Sequence, residues 1–207
     1  MNQTRMGHAE QAGELSADAH HAQLKRAIIA STIGTTIEWY DFFLYSIVTG
    51  LVFAELYFPR SDPLVGTLQA FTIYAVGFAA RPVGAAIFGH YGDRIGRKAT
   101  LIATLLLMGV STFLVALVPT YESIGIWGAV ILTVLRFFQG IGVGGEWGGS
   151  VLLAMEWART NSHRGYIASW PQFGVPAGLF LANAAVLGFS AYSGDAFLEW
   201  GWRIPFL

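Results

Sequence analysis

The chain has 207 residues, of which 54% are apolar and 12% charged, and its net charge is −1. A soluble globular domain carries about 25% charged residues, so this composition indicates a chain whose solvent is lipid. The near-neutral charge argues against nucleic acid as a partner, and the absence of cysteine excludes disulfides, thiolate nucleophiles and cysteine metal sites.

Residues 1–25 form a polar leader that we expect to lie in the cytoplasm. The leader lacks the basic stretch followed by an apolar stretch that marks a cleavable signal peptide. Its three histidines, His8, His20 and His21, show no metal-ligand spacing. We therefore expect no metal or other cofactor, and we expect the first apolar segment to be retained as a membrane helix.

Residues 26–207 form the predicted transmembrane bundle. A helix that spans a bilayer needs about 20 mostly apolar residues, and the chain supplies a series of such segments. The predicted spans are residues 27–58, 65–88, 99–118, 126–157 and 166–191, with a sixth that starts at residue 200. Trp200 and Trp202, at the start of the sixth, are typical of an interfacial aromatic belt. The predicted fold class is an all-α membrane protein.

Basic residues occur on alternate sides of the predicted spans, and this pattern predicts the orientation. Cytoplasmic loops carry an excess of lysine and arginine. The segments on one side hold most of the basic residues: Lys25, Arg26, Arg94, Arg97, Lys98, Arg159 and Arg164. On the other side, Arg60 is the one basic residue before the sixth span. We therefore expect a multi-pass protein of the cytoplasmic membrane with its N-terminus in the cytoplasm.

Ionisable residues inside the spans are the strongest functional candidates, because a charge at the bilayer centre costs at least about 2.5–3.5 kcal/mol. The first span carries EWYDFFLY, in which Glu38, Asp41 and Tyr45 share one helix face. By helix rise, the two carboxyl groups lie roughly 18 and 22 Å into the membrane from its cytoplasmic side. Burial favours the protonated form of a carboxyl group and a neighbouring arginine opposes this, so both are candidates for binding a proton.

Three further candidates lie inside other spans: Arg81 in the second, and Arg136 and Glu146 in the fourth. A buried acid and a buried base on neighbouring helices tolerate burial as a pair. Glu38 or Asp41 can pair with Arg81 or Arg136, and Glu146 with either arginine, and the sequence leaves these pairings open. The charges could line a polar cavity or proton relay, or they could only hold helices together.

Glycines recur every four residues at Gly140, Gly144 and Gly148, and again at Gly174 and Gly178. Small residues at this spacing let membrane helices approach closely. The stretch GIGVGG also matches the G-x-G-x-x-G pattern of dinucleotide-binding proteins, but that pattern must follow a strand and open a helix. Here it lies within an apolar helix, so we expect helix packing.

The decapeptide GHYGDRIGRK, residues 89–98, resembles the loop between helices two and three of the major facilitator superfamily. The match runs through Gly89, Asp93, Arg94, Gly96, Arg97 and Lys98. The stretch RFFQG resembles the fourth-helix element of the same superfamily. Together with EWYDFFLY, GGEWGGS and WGWRIPFL, these motifs are similar to those of the metabolite:proton symporter family, which includes permeases for α-ketoglutarate, shikimate, citrate and proline or betaine.

The resemblance implies a secondary active transporter, and no enzyme, of twelve helices in two six-helix halves. It implies proton-coupled symport of a small organic acid or zwitterion across the inner membrane, although the residues do not exclude sodium coupling. This chain would be the N-terminal half, a truncated or partial sequence with an incomplete sixth helix, and its partners would be the solute, the bilayer and the missing C-terminal half. A non-transporting membrane sensor or scaffold with the same fold is the alternative.

The buried charges and the resemblance together assign roles to residues. The candidates for proton coupling or substrate binding are Glu38, Asp41, Tyr45, Arg81, Arg136 and Glu146. The decapeptide is the candidate conformational latch, in which Asp93 helps to hold the two halves together when the cytoplasmic side is closed. Tight turns are expected at Gly89 and Gly96, and Arg94, Arg97 and Lys98 are expected to lie at the anionic cytoplasmic lipid surface.

Overall fold

The computed structural model describes residues 17–157 and 169–207, and these ranges contain helices and no strands. The α-helices are α1 (Ala17–Val48), α2 (Ala54–Tyr57), α3 (Pro63–Ile95), α4 (Arg97–Leu117), α5 (Tyr121–Ile124), α6 (Trp127–Trp157) and α7 (Gly174–Ser193). A π-helical turn, Thr49–Phe53, joins α1 to α2, and 3-10 turns cover Trp170–Phe173, Gly194–Phe197 and Gly201–Phe206. Helix α1 begins inside the predicted polar leader.

In the described ranges, four helical segments are long and apolar enough to cross a membrane. They are Thr32–Tyr57, Pro63–Gly92, Trp127–Gly145 and Gly174–Phe197, and a shorter apolar helix covers Ile102–Leu117. Large apolar side chains on their outer surfaces are exposed, among them Leu106, Phe180 and Leu187. An apolar exterior is the expected surface of a bundle that lipid solvates.

Polar side chains along these helices mostly bond to their own backbone. The hydroxyl groups of Thr36, Ser111 and Thr133 donate to the carbonyl oxygen four residues earlier, at 2.7 Å in each case. The Asn183 amide does the same at 2.8 Å. These bonds remove the cost of leaving a polar group without a partner in hydrocarbon.

Helix α3 is longer than the sequence predicts, because it continues through most of the decapeptide. At its start, the Asp62 carboxylate accepts a 3.0 Å hydrogen bond from the backbone N–H of Leu64, and Pro63 occupies the first turn, where its missing N–H costs nothing. At its end, Gly96 alone separates α3 from α4, with φ 102° and ψ 139°.

The predicted loop at residues 89–98 is therefore corrected to a one-residue break between two helices. The predicted turn at Gly89 is wrong, since Gly89 lies within α3, whereas the turn at Gly96 is confirmed by its positive φ. A single interior glycine costs a helix about 1 kcal/mol, which flanking helical turns tolerate. A backbone φ of 102° favours glycine, so the helix ends at Gly96.

Close helix approaches at glycines hold the bundle together. An added Cβ at Gly140 would overlap the carbonyl group of Gly77, and one at Gly144 would overlap that of Arg81, so α6 lies directly on the backbone of α3. Gly178 makes the same kind of contact with the backbone of Trp39 and Tyr40 in α1. The prediction that these small residues permit close packing is confirmed.

The core lies at the end of the bundle where α1 runs into its π-helical turn. Phe53 packs edge-on against Trp202 with ring centroids 5.5 Å apart, and Phe206 adds a further ring. The Tyr40 hydroxyl donates to the Pro205 carbonyl oxygen at 2.7 Å. Trp202 is fully buried, so its predicted place in an interfacial belt is wrong, while Trp200 is exposed. The stretch Gly201–Phe206 forms a 3-10 helix that closes this core.

Candidate functional site

The candidate site is centred on Asp41, a carboxylate buried inside the bundle. Asp41 lies on α1 and is 5% exposed, and the guanidinium Nη1 of Arg136 on α6 lies 3.9 Å from its Oδ2 atom. Of the pairings that the sequence leaves open, the structure brings Asp41 and Arg136 together. Their separation is within the range of an ion pair but beyond that of a direct hydrogen bond.

Two polar side chains complete the hydrogen bonding of this carboxylate. Thr112 on α4 donates to Oδ1 of Asp41 at 2.7 Å, and Gln139 on α6 donates from Nε2 to Oδ2. The Gln139 amide also donates to the Thr112 oxygen at 2.7 Å and accepts from Nη1 of Arg136 at 2.7 Å. Asp41, Thr112, Arg136 and Gln139 thus form one network, which we call the Asp41 network, across α1, α4 and α6.

Aromatic rings and a glycine surround Arg136. Its Cζ atom lies 4.3 Å from the ring centroid of Tyr45 and 4.8 Å from that of Tyr74, so the cation faces two π-systems. A Cβ at Gly77 would lie 2.7 Å from the Nε atom of Arg136, so a larger residue there would displace this side chain. The Nε atom of Arg136 and the hydroxyl of Tyr45 are buried and have no hydrogen-bond partner among the described residues.

Glu38 and Arg81 lie on the other side of Asp41, around a small cavity. The cavity measures about 10 Å³ and is lined by Glu38, Asp41, Phe42, Gly77, Arg81, Arg136, Gly140 and Val143. This volume is near the minimum that holds one water molecule. Arg81 lies over the Phe78 ring at 4.8 Å. Glu38 is 8% exposed and shows no hydrogen bond or ion pair within the described ranges.

The remaining predicted site residues lie away from this centre or beyond description. The side chains of Glu146, Asp93, Arg97 and Lys98 lie outside the described part of the structure. Arg94 is exposed near the end of α3, and Gly89 is exposed within that helix. Among the described residues, no group of three or more metal-ligating side chains occurs. The structure therefore gathers five of the six candidates for proton coupling or substrate binding: Glu38, Asp41, Tyr45, Arg81 and Arg136.

Sequence reasoning missed Gln139 and Thr112, which bond directly to Asp41. Gln139 carries a usable signal, because it lies three residues after Arg136 and so shares its helix face. Thr112 carries none, since a threonine in an apolar helix ordinarily bonds to its own backbone. Both are uncharged, so a search for ionisable residues passes over them.

The chain was also compared with known proteins. A family model described as Sugar (and other) transporter matches residues 26–207. The chain belongs to this family, which is part of the major facilitator superfamily. Members of the family are transporters and not enzymes.

Curated relatives carry metabolite transport names. The Escherichia coli K12 inner membrane metabolite transport protein YhjE is 48% identical over 88% of this chain, but only 41% of its own length is covered. The shikimate transporter of the same organism is 45% identical, with 90% of this chain and 42% of that protein covered. The proline/betaine transporter is 39% identical, with coverages of 89% and 37%.

A solved structure supports the fold. The inward-open xylose transporter XylE from E. coli superposes with a TM-score of 0.72 at 18% identity, covering 88% of this chain and 44% of that one. The predicted fold class is confirmed: the chain has the N-terminal half of the major facilitator fold. It spans about two fifths of the length of the curated relatives that it matches.

Proposed function

We propose that the chain is the N-terminal half of a secondary active transporter that moves a small organic acid or zwitterion together with protons. The observation that carries this proposal is the Asp41 network beside a cavity with a second acid and a second arginine. Buried ionisable groups are expensive in a membrane and mark ion and substrate pathways. The names of the shikimate and proline/betaine transporters support the solute class, because each of these solutes carries a carboxylate.

In this proposal the two acids have different roles. Asp41 is hydrogen-bonded and lies beside Arg136, which stabilises its ionised form, whereas Glu38 faces the cavity, where the charge of Arg81 acts on it without an ion pair in the described ranges. A proton that enters the cavity meets Glu38 and Asp41 together. Protonation of Asp41 would weaken its attraction to Arg136 and so shift the balance between conformations of the bundle.

Arg81 is the proposed contact for a solute carboxylate. Its guanidinium borders the cavity, is partly exposed and lies over the rings of Phe42 and Phe78, and it forms no ion pair with another described residue. Guanidinium groups bind carboxylates in bidentate fashion. The other half of the binding site would come from the C-terminal half of the protein, and the N-terminus would lie in the cytoplasm, as the basic residues predict.

The test is uptake by the full-length protein in liposomes. Radiolabelled shikimate, proline and glycine betaine are supplied under an imposed inward proton gradient, with protein-free liposomes as the control. We expect at least one solute to accumulate and a protonophore to abolish the accumulation. Accumulation that follows a sodium gradient and ignores the protonophore would contradict proton coupling. No uptake of any of the three would contradict the proposed solute class and favour a sensor or scaffold.

A further inference from the structure

Gln139 occupies a position that the proposed function does not explain by itself. It lies on α6 one turn beyond Arg136 and is fully buried. Its amide makes three hydrogen bonds to side chains, and these connect Asp41 on α1, Thr112 on α4 and Arg136 on its own helix. A buried, fully bonded amide between an acid and a base has a fixed orientation, and the orientation here follows from the partners.

Arg136 and ionised Asp41 dictate which way the amide points. A guanidinium has only donors, so the Gln139 oxygen must face Arg136. An ionised carboxylate has only acceptors, so the Gln139 nitrogen must face Asp41. The observed bonds follow this assignment. Because Nη1 of Arg136 and Oδ2 of Asp41 are 3.9 Å apart, the hydrogen-bonded connection between acid and base runs through the amide.

We propose that Gln139 is a positioning residue that transmits the protonation state of Asp41 to Arg136. This inference rests on the proposed proton-coupled function. A proton on Oδ2 of Asp41 that is directed at the Gln139 nitrogen places a donor against the donor end of the amide. The amide must then rotate or withdraw, and either movement breaks its bond to Arg136. Loss of that bond frees the arginine at the moment when Asp41 loses its charge.

Thr112 differs from Gln139 in how it responds to a proton. Its hydroxyl has one hydrogen and two acceptors in reach, Oδ1 of Asp41 at 2.7 Å and the Met108 carbonyl oxygen at 2.9 Å. It can accommodate a proton on Oδ1 by turning to Met108, so it carries no signal to Arg136.

Other titratable groups also surround Asp41 and enter any measurement of its charge. They are Glu38, Tyr40 and Tyr45 on α1, Arg81 and Tyr74 on α3, and Arg136 on α6. Variants of Gln139 that retain all of these titratable groups separate the contribution of Gln139 from theirs.

The first test is spectroscopic and needs no solute. In infrared difference spectra of the purified full-length protein at neutral pH, the Asp41 carboxylate band is the one that Asp41→Asn lacks. We expect this band to shift in Gln139→Leu and in the milder Gln139→Asn, whose shorter amide cannot reach both partners. It should not shift in the control Gln69→Leu, an exposed glutamine on α3. An unshifted band in both Gln139 variants, or no Asp41 carboxylate band in the wild type, would overturn the inference.

The second test separates coupling from folding. In the Gln139 variants we expect proton-driven accumulation of the transported solute to fall about tenfold or more, while exchange of labelled for unlabelled solute without a gradient stays within about twofold. Equal loss of accumulation and exchange would mark Gln139 as structural and overturn its positioning role. If the wild type transports none of the solutes, the proposed function fails, and the infrared result still decides whether Gln139 holds Asp41.

Discussion

Asp41 and Glu38 lie three residues apart on one helix, yet their surroundings differ. Asp41 accepts two side-chain hydrogen bonds and lies 3.9 Å from a guanidinium. Glu38 borders the cavity without either kind of contact in the described ranges. The two carboxyl groups therefore have different surroundings. That of Asp41 belongs to a hydrogen-bonded network between helices, and that of Glu38 faces the cavity.

This difference predicts unequal effects of neutral substitutions on stability. Asp41→Asn leaves the buried Arg136 without its counter-charge, so we expect the free energy of unfolding to fall by about 3 kcal/mol. Glu38→Gln keeps the shape of the side chain and removes a charge that forms no ion pair in the described ranges, so we expect a smaller change, about 1 kcal/mol or less. Thermal unfolding of the purified full-length protein in detergent measures both, with the exposed Glu122→Gln as the control.

The same two variants also test their roles in transport. We expect each to reduce proton-driven accumulation, Asp41→Asn more severely, because each removes a group proposed to bind the proton. If both variants accumulate solute as the wild type does, the assignment of Glu38 and Asp41 is wrong. If Glu122→Gln is as impaired as they are, the assay reports general damage.

Helices α3 and α6 depend on each other because their backbones touch at glycine. An alanine at Gly140 would push its Cβ into the Gly77 carbonyl, and rigid backbone cannot yield as a side chain does. We expect Gly140→Ala to lower the free energy of unfolding by about 1–3 kcal/mol. Gly109→Ala is the matched control, since an added Cβ in α4 meets no atom within 4 Å and gains up to about 1 kcal/mol of helix propensity. Equal destabilisation by both would contradict a packing role for Gly140.

The break between α3 and α4 provides a second pair of glycines with opposite predictions. Gly96 has φ 102°, which costs a residue with a side chain about 1–3 kcal/mol. Gly89 is helical, and an added Cβ there meets no atom within 4 Å. We expect Gly96→Ala to lower the thermal midpoint and Gly89→Ala to leave it unchanged or raise it. If Gly89→Ala destabilises as much as Gly96→Ala, the helical assignment of the decapeptide is wrong.

For the helices and their contacts, the sequence predicts some features well and others poorly, for physical reasons. The glycine spacing in α6 identifies a close helix contact, because a four-residue repeat puts small residues on one face. The boundary of α3 is misplaced, because interior glycines and charges look like a loop but cost a long helix little. The burial of Trp202 also escapes prediction, since it depends on Phe53, which is far away in sequence and close only in the folded chain.

At the scale of the whole molecule, the chain corresponds to the N-terminal half of the major facilitator fold. It spans about two fifths of its curated relatives, and several of its apolar surfaces are exposed. The pairing of buried charges is a feature that the sequence alone does not predict. Composition and helix spacing place Asp41 and Arg136 at comparable depth, but only the arrangement of α1 and α6 pairs them, and only an uncharged residue, Gln139, connects them by hydrogen bonds.

The role expected of Asp93 involves the whole protein, because its expected partner lies in the other half. It stands near the C-terminal end of α3, where negative charge is disfavoured by the exposed carbonyl groups of the helix. An aspartate at such a position suggests a role outside its own helix, and the resemblance to the major facilitator loop supplies one, a latch between the halves. We expect Asp93→Asn in the full-length protein to slow solute uptake while leaving solute affinity unchanged, because the latch acts on conformational exchange and lies away from the Asp41 network.

Asp62, at the opposite end of the same helix, offers a matched control for this prediction. Its carboxylate caps the start of α3, and asparagine caps a helix about as well. Asp62→Asn should therefore change neither uptake rate nor affinity. Equilibrium binding of labelled solute, measured beside initial uptake rates, separates the two effects of Asp93→Asn. Lost binding with normal turnover would place Asp93 in a solute site, and an unchanged uptake rate would show that closure of the cytoplasmic side does not depend on its charge.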